Sequence, residues 1–264
     1  MHVAPAELRS ARSGRLQLRF AQLGDGAFVV AHVPDTGTAG TPLEHACSRP
    51  HWGVIVAGTI EVEIGTKRDR IEAGTAFHLP SGLEHRLFSS GRATIAGFES
   101  LEAGADIDGL IRARGYALEP RSTAPEAAIA LPAPVVPPPP GTVDARGVSM
   151  GERIFTRAHF GPGGGYATGF CDLPHWGMVT AGSLVIEWED DVEVVGAGEV
   201  YHCPAGPPGH HFLAADAASL VDFTPSTVVT PNVRLQGWRP LVPRTVERRK
   251  KPRPLTSVAT APIV

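Results

Sequence analysis

Two well-separated stretches of the chain combine runs of β-branched residues with alternating apolar and polar positions. The first reads VIVAGTIEVEIG (residues 54–65) and the second reads MVTAGSLVIEWEDDVEVV (residues 178–195). An alternation of period two places apolar side chains on one face of a sheet. Glycine and proline interrupt the chain at short intervals, which is typical of turns between short strands. Regularly spaced short strands favour a closed barrel or a two-sheet jelly roll, so the sequence predicts an all-β fold.

Each of these stretches belongs to a longer repeat. CSRPHWGVIVAG (residues 47–58) and CDLPHWGMVTAG (residues 171–182) share Cys, His-Trp-Gly and Ala-Gly at the same spacing. Further along, GTAFHLPSGLEH (residues 74–85) matches GEVYHCPAGPPGH (residues 198–210), with one extra residue in the second copy. Because the similarity runs through both halves, the chain is predicted to contain two copies of one domain.

The stretches outside the repeats differ from them in composition. EPRSTAPEAAIALPAPVVPPPPG (residues 119–141) ends in four prolines, which favour an extended polyproline path. A short helix is predicted just before it, capped by Asp106 or Asp108. The segment TVERRKKPRPLTSV carries a block of like charges, which usually stays in solvent. We predict an N-terminal barrel at 15–101, a linker at 102–145, a C-terminal barrel at 146–240 and a basic, disordered tail at 241–264.

Composition narrows the choice of location and partners. The chain has 264 residues, 42% of them hydrophobic and 19% charged, and a formal net charge of -3. This balance gives no reason to expect nucleic acid or a membrane as partner, whereas a small molecule and a second copy of the chain remain possible partners. The first residues lack an apolar secretory signal, so a cytoplasmic location is expected. Three cysteines are a poor disulfide framework, and two of them stand near histidines, which favours metal binding.

The repeated motifs resemble those of the cupin family. Its second motif is usually Gly, five residues, Pro, one residue, Gly, two residues and His. The first copy meets it at Gly74, Pro80, Gly82 and His85. The second copy meets it at Gly198, Pro204 and Gly206, with His210 one residue late and His211 next to it. The resemblance implies two tandem cupin-type β-barrels, also called double-stranded β-helices or jelly rolls, that is, a bicupin.

The first cupin motif keeps its spacing but changes its chemistry. It usually reads His, one residue, His, three or four residues, Glu, six residues and Gly. The glutamate position holds His51 in the first copy and His175 in the second, and the second histidine position holds Cys47 and Cys171. The first histidine position holds His45 in the first copy and a glycine in the second.

A Cys and a His four residues apart on one strand face the same side, and the histidine of the second motif arrives from another strand. The predicted metal ligands are Cys171, His175 and His210 or His211 in the second copy, and Cys47, His51, His85 and His45 in the first. One thiolate with two imidazoles favours zinc, with iron, copper, nickel or manganese as alternatives. Three ligands leave the second site open, whereas a fourth ligand, His45, would close the first and make it structural.

Two further histidines are repeated, His78 and His202, each two residues before the proline of the second motif. If they face the barrel interior, each is a candidate general acid or base, and we predict a catalytic role for them on that condition. Trp52 and Trp176 each follow a predicted ligand and therefore face the opposite side. They are predicted to pack between sheets or domains rather than to contact substrate.

Three functions are compatible with these motifs. The first is a zinc-type enzyme acting on a small carbonyl or carboxylate metabolite by isomerase, cyclase or lyase chemistry. The second is a metal-dependent dioxygenase or decarboxylase resembling the bicupin quercetinases and oxalate decarboxylases, which the missing glutamates disfavour. The third is a non-catalytic, metal-stabilised barrel that binds a ligand. The sequence favours the first.

Overall fold

The fold is described by a computed structural model. It covers residues 2–3, 8–24, 26–34, 51–89, 91–101, 106–119, 136–150, 153–166, 170–226, 238–240 and 259–262. Within these residues nearly every regular element is a strand, as the hydrophobic pattern predicts. The one helix among them has seven residues, and none that is long and apolar enough to cross a membrane occurs in the described part.

The elements of the first half are β1 (His2–Val3), β2 (Arg9–Ser13), β3 (Leu16–Leu23), β4 (Gly26–Val33), β5 (His51–Ala57), β6 (Thr59–Ile64), β7 (Lys67–Glu72), β8 (Thr75–Leu79), β9 (Arg86–Ser89), β10 (Ala93–Ser100), α1 (Ile107–Ala113) and β11 (Ala117–Leu118). Those of the second half are β12 (Val143–Met150), β13 (Arg153–Phe160), β14 (His175–Trp188), β15 (Val192–Gly196), β16 (Val200–Cys203), β17 (His210–Leu213), β18 (Ala218–Pro225), β19 (Trp238–Pro240) and β20 (Ala259–Pro262).

Each half forms a barrel from two sheets. In the first half an eight-stranded sheet, ordered β11-β2-β3-β4-β10-β5-β8-β20, faces the three-stranded sheet β7-β6-β9. In the second half the path β1-β16-β14-β18-β13-β12-β19 forms one sheet, while β15 and β17 pair with the far end of β14. The order β4-β10-β5-β8 thus matches β13-β18-β14-β16. The predicted duplication and the all-β, two-barrel fold are confirmed.

The repeated Ala-Gly marks the point where one long strand passes between the two sheets. Gly58 and Gly182 have positive φ angles of 78° and 68°. A Cβ atom at either position would overlap a backbone carbonyl oxygen, that of Arg92 or of Ala217. Only glycine combines this backbone conformation with so close an approach, which explains why both copies keep it.

Alternation along the strands builds three apolar clusters. In β6 buried and half-buried positions alternate strictly, so one face fills the first barrel. One cluster lies inside each barrel, and a third is shared between them. The shared cluster includes Phe28 and Phe98 from the first half and Phe155, Trp176 and Phe223 from the second. The barrels therefore pack against each other as an intramolecular pseudo-dimer.

The structure corrects parts of the predicted domain division. β2 pairs with β3 from Arg9 onward, before the predicted start at residue 15, and β12 begins at Val143 inside the predicted linker. Helix α1 begins as predicted, where the Asp106 carboxylate accepts a hydrogen bond from the Gly109 amide at 2.6 Å. Most of the proline-rich stretch lies outside the described residues. The prediction of a disordered tail is wrong for residues 259–262, which form β20.

The strands near the two ends of the chain each pair with the barrel formed by the opposite half. β1, near the N-terminus, pairs with β16 of the second barrel, and β20, near the C-terminus, pairs with β8 of the first. Each terminal strand therefore extends the sheet of the barrel at the opposite end of the sequence.

Candidate metal centre

Cys171, His175 and His210 come together in the second barrel, with one ligand atom from each lying within 4.8 Å of the others. The backbones of Cys171 and His210 hold each other through two hydrogen bonds, of 2.6 and 3.0 Å. His175 is the first residue of β14 and approaches from the neighbouring sheet. Three separate segments of the repeat therefore converge, as the motif spacing predicts.

Asp222 of β18 fixes the orientation of the His175 ring. The Nδ1–H group of His175 donates to Asp222 Oδ1 at 2.8 Å, while Nε2 lies 3.5 Å from Sγ of Cys171. The carboxylate is itself held by the hydroxyls of Tyr201, at 2.9 Å, and Thr224, at 3.2 Å. A carboxylate bound to one ring nitrogen leaves the other for a metal, which is a common arrangement around ligand histidines.

The electrostatics of the two histidines differ. Burial lowers the pKa of His175, but the charge of Asp222, the hydrogen bond to it and the contact with Cys171 outweigh burial and raise that pKa to about 10. Burial, and next the charge of His175, lower the pKa of His210 to about 3. His210 is thus a neutral imidazole at physiological pH, which is the form that binds metal.

One ring nitrogen of His210 lacks a hydrogen-bond partner among the described residues. The residue is 1% exposed, and this nitrogen, Nδ1, is buried. Its ring meets that of His175 edge to face, with centroids 5.0 Å apart. An unsatisfied nitrogen beside a thiol and a second imidazole fits a thiolate-imidazole metal site, because a buried polar atom without a partner is otherwise costly.

His211 does not belong to this cluster. Its Nε2 lies 2.6 Å from the carbonyl oxygen of Tyr166, and its Nδ1 lies 3.4 Å from Oε2 of Glu187. Both ring nitrogens therefore have partners away from Cys171. The physical reason is the alternation of β17, which turns adjacent residues to opposite faces. Of the two histidines left open by the sequence, the geometry favours His210 as the ligand.

A small cavity of about 50 Å³ adjoins the cluster. Its walls are largely apolar, with Leu173, Phe212 and Leu220, while Thr156 and Tyr166 supply hydroxyl groups. Burial, followed by the charges of Asp222 and Cys171, raises the pKa of the Tyr166 phenol. Tyr166 therefore stays protonated and can act as a hydrogen-bond donor to a molecule in the cavity.

The first barrel repeats part of this arrangement. The rings of His51 and His85 meet edge to face with centroids 5.1 Å apart. The Nδ1 atom of His85 lies 2.8 Å from the carbonyl oxygen of Leu83, and its Nε2 is buried without a partner in the described structure. Burial lowers the pKa of His85, against the effect of that backbone hydrogen bond. His45 and Cys47, the other predicted ligands, lie outside the described residues.

A carboxylate also lies near the His51 ring, but it comes from a different position in the last strand than Asp222 does in the second barrel. Glu99 Oε1 lies 3.8 Å from Nδ1 of His51, and Glu99 forms an ion pair with Arg114 in the segment after α1. The motifs do not include Asp222 and Glu99, which the sequence marks only as weak candidates near strand ends, and the two occupy non-equivalent places in the last strand of each copy. The last strand of each copy, β10 or β18, pairs with the strand that begins at His51 or His175, and this pairing brings the carboxylates near the histidines. No sequence signal distinguished Tyr166.

His78 and His202 do not line the cavity beside the pair of His51 and His85 in the first barrel or the cavity beside the cluster of the second. Each stacks on a tryptophan, with centroids 5.0 Å apart for Trp52 and His78 and 5.1 Å apart for Trp176 and His202. Strand register causes this, because each histidine lies directly opposite its tryptophan and therefore on the same face. Neither histidine lines the cavity beside a ligand cluster, so the condition attached to their catalytic role is not met.

Trp52 and Trp176 instead join the two barrels, as predicted. The indole N–H of Trp52 donates to the Met150 carbonyl at 3.0 Å, and that of Trp176 donates to the Leu23 carbonyl at 2.8 Å. Each tryptophan thus reaches the backbone of the other half. In each repeated His-Trp pair the histidine packs against the second-motif histidine, and the tryptophan reaches the interface.

No family model matches the sequence, and no curated protein matches it either. Solved structures do share its fold. AerE from Microcystis aeruginosa superimposes with a TM-score of 0.55 over 83% of this chain and 98% of its own, at 11% identity. Oxalate decarboxylase from Bacillus subtilis, described with Mn(II) centres, gives a TM-score of 0.57 over 87% of this chain and 78% of its own, at 13% identity. Another oxalate decarboxylase structure gives 0.59 over the same shares, at 12% identity.

At these levels of sequence identity the superpositions show a shared fold but not a shared reaction, because one fold can support many activities. The neighbours match across both barrels, in agreement with the two repeated motifs. The chain therefore has the two-barrel, all-β fold of these structures, which is the fold that the resemblance of its motifs to the cupins implies.

Proposed function

We propose that the second barrel holds a metal ion, zinc in preference to other metals, on Cys171, His175 and His210. We further propose that the protein is an enzyme acting on a small carbonyl or carboxylate metabolite by isomerase, cyclase or lyase chemistry. The observation that carries this proposal is the convergence of three donor atoms within 4.8 Å beside a largely apolar cavity.

The donor set supports zinc. A thiolate with two imidazoles suits zinc, whereas manganese prefers carboxylate, carbonyl and water oxygens. Among the described residues the donor cluster contains no carboxylate, since Asp222 bonds to the far nitrogen of His175. The Mn(II) centres of the oxalate decarboxylase neighbour are therefore a weak guide to the metal here.

The residues of the chain have separable tasks. Asp222 keeps the proton of His175 on Nδ1 and so directs Nε2 toward Cys171. Tyr201 and Thr224 hold Asp222 in place. When bound, zinc with three protein ligands and an open position polarises a carbonyl group or acidifies a water molecule. Tyr166 donates a hydrogen bond to an oxygen of the substrate, and the apolar walls limit access of water.

The first barrel is proposed to hold a second metal ion on Cys47, His51 and His85, with His45 as a fourth ligand. The buried, unpartnered Nε2 of His85 and its contact with His51 support this site. Four protein ligands leave no position for substrate, so this metal would stabilise the fold and the second barrel would perform the reaction.

Metal analysis of the purified protein tests the proposal. Protein prepared without chelator or added metal is expected to contain about two zinc ions per chain, falling by one in Cys171→Ala and by one in Cys47→Ala. Cys203→Ala is the matched control, because this buried thiol lies outside the cluster and both metals should be retained. Full metal content in Cys171→Ala, or no metal in the wild-type protein, would refute the site.

The identity of the metal separates the remaining functions. Iron, manganese, nickel or copper at full occupancy, together with oxygen consumption, would replace the proposal with a dioxygenase or decarboxylase. If the protein contains zinc but converts none of a panel of oxo acids and β-carbonyl acids, the result would favour a non-catalytic barrel that binds a ligand.

A further inference from the structure

A second cavity, of about 170 Å³, lies between the two barrels and apart from the cysteine-histidine cluster. Val54 and Val56 of the first barrel and Val221 of the second form an apolar wall. The polar groups come from the second barrel, chiefly Arg157 and His159 of β13. Among the described residues no carboxylate lines this cavity.

The cavity is lined by an arginine whose charge is not balanced by a carboxylate among the described residues of the cavity wall. In the pairing of β12 with β13, Arg157 lies directly opposite Arg146. Like charges at directly opposed positions are destabilising. Among the described residues, Asp144 is the carboxylate that acts on Arg157, and it lies 3.4 Å from Nε of Arg146. Two guanidinium groups thus share one carboxylate, and Arg157 is the one that lines the cavity.

The guanidinium of Arg157 reaches the interface, and one of its nitrogens lacks a partner among the described residues. Its Nε is buried, and no acceptor in the described structure binds it. A Cβ atom on Gly74 would lie 3.3 Å from its Nη1, so the side chain reaches the turn before β8 in the first barrel. Burial, and then the charge of Arg146, lower the pKa of Arg157. Arg157 is half-buried, and a buried guanidinium nitrogen without an acceptor is costly, so packing alone does not account for this residue.

The internal repeat supplies a direct comparison. FVVAH in the first copy and FTRAH in the second place Val30 where the second has Arg157. Val30 is 1% exposed and belongs to the cluster shared by the barrels. The fold therefore accepts an apolar side chain at this position, and the second barrel departs from it with a charged one.

Neighbouring groups complete a site for a small anion. The Nδ1 atom of His159 lies 2.8 Å from the hydroxyl oxygen of Ser219, which leaves Nε2 to contact a ligand. Thr180 lines the cavity with a further hydroxyl. Because Arg146 is paired with Asp144, one net positive charge remains, and it matches a monoanion. The valine wall suits a short hydrocarbon chain.

We propose that this cavity binds a small monocarboxylate, whose carboxylate pairs with Arg157 and whose apolar part contacts Val54, Val56 and Val221. The site is separate from the proposed metal centre. Thr156, the residue before Arg157, lines the metal-side cavity, so the two cavities lie on opposite faces of β13.

Calorimetric titration of the full chain with sodium butanoate tests this site. The wild-type protein should bind one butanoate saturably, and Arg157→Val should weaken binding about 10- to 100-fold through loss of the charge-assisted hydrogen bonds. Arg70→Val is the matched control, since it removes an arginine that is 62% exposed on β7 and should leave the affinity unchanged. Cys171→Ala should also bind butanoate normally, because its change lies at the other cavity.

Three results of the butanoate titrations would overturn the proposal. The first is no saturable binding of butanoate by the wild-type protein. The second is unchanged affinity in Arg157→Val or in Arg157→Gln, the variant to be used if the valine protein does not fold. The third is loss of binding in Cys171→Ala, which would assign the carboxylate to the metal side. Titration with inorganic phosphate checks the class of ligand, and binding of phosphate as tight as that of butanoate would refute a carboxylate site.

Discussion

Asp222→Asn tests how far the orientation of His175 determines metal affinity in the second barrel. Asp222 is 2% exposed and accepts hydrogen bonds from His175, Tyr201 and Thr224. Asparagine keeps the volume but loses the charge, and its amide nitrogen cannot accept the Tyr201 hydroxyl proton. Changing the carboxylate behind a ligand histidine typically costs about 10- to 100-fold in metal affinity, or roughly 1.4 to 2.7 kcal/mol.

The affinity is measured by competition with a chromophoric zinc chelator, with circular dichroism as the check on folding. Tyr201→Phe removes a single hydrogen bond to the same carboxylate and should weaken zinc binding by less than Asp222→Asn. The metal proposed for the first barrel should be retained in both variants, because its histidine is backed by Glu99. A folded Asp222→Asn protein that binds zinc in the second barrel as tightly as wild type would refute the role given to Asp222.

Two further predictions concern stability. Trp176→Phe should lower the free energy of unfolding by about 1 to 3 kcal/mol, since it leaves the Leu23 carbonyl without its donor, and Trp52→Phe should have a smaller effect because Trp52 is less buried. Urea denaturation of both variants measures this, and equal stability of Trp176→Phe and wild type would contradict it. Burial, with the charge of Arg19, lowers the pKa of His32 in the folded protein to about 4 from 6.5. The unfolded chain therefore binds the proton first, so stability falls as pH decreases from 6.5 toward 4, by on the order of 2 kcal/mol between pH 7 and pH 5 from this group. The pH dependence of unfolding in His32→Gln should be shallower than in wild type, and parallel curves would contradict this assignment.

Much of the architecture follows from local pattern. Alternation in β6, the repeated Ala-Gly and the two copies of the His-Trp pair predict strands, their turns and the duplication. The convergence of Cys171, His175 and His210 follows from motif spacing, because each residue has a fixed place along a strand. These features depend on neighbours in sequence, which is why a single chain reveals them.

Other features depend on pairing between distant strands. The choice of His210 over His211 needs the register of β17, and the placement of His78 and His202 needs their pairing with the tryptophans. Asp222 and Glu99 approach the histidines from the last strand of each copy, at different positions. The crossing of the terminal strands depends on backbone hydrogen bonding, for which charged and proline-rich flanks give no signal.

The exchange of terminal strands has a consequence for the order in which the protein matures during synthesis. The ribosome releases β8 long before β20, so the edge of the first barrel waits for almost the whole chain before it gains its partner. β1 emerges first, yet its partner β16 is made only in the second half. The first barrel therefore cannot complete its sheet until β20 has been made, and β1 stays unpaired until β16 has left the exit tunnel.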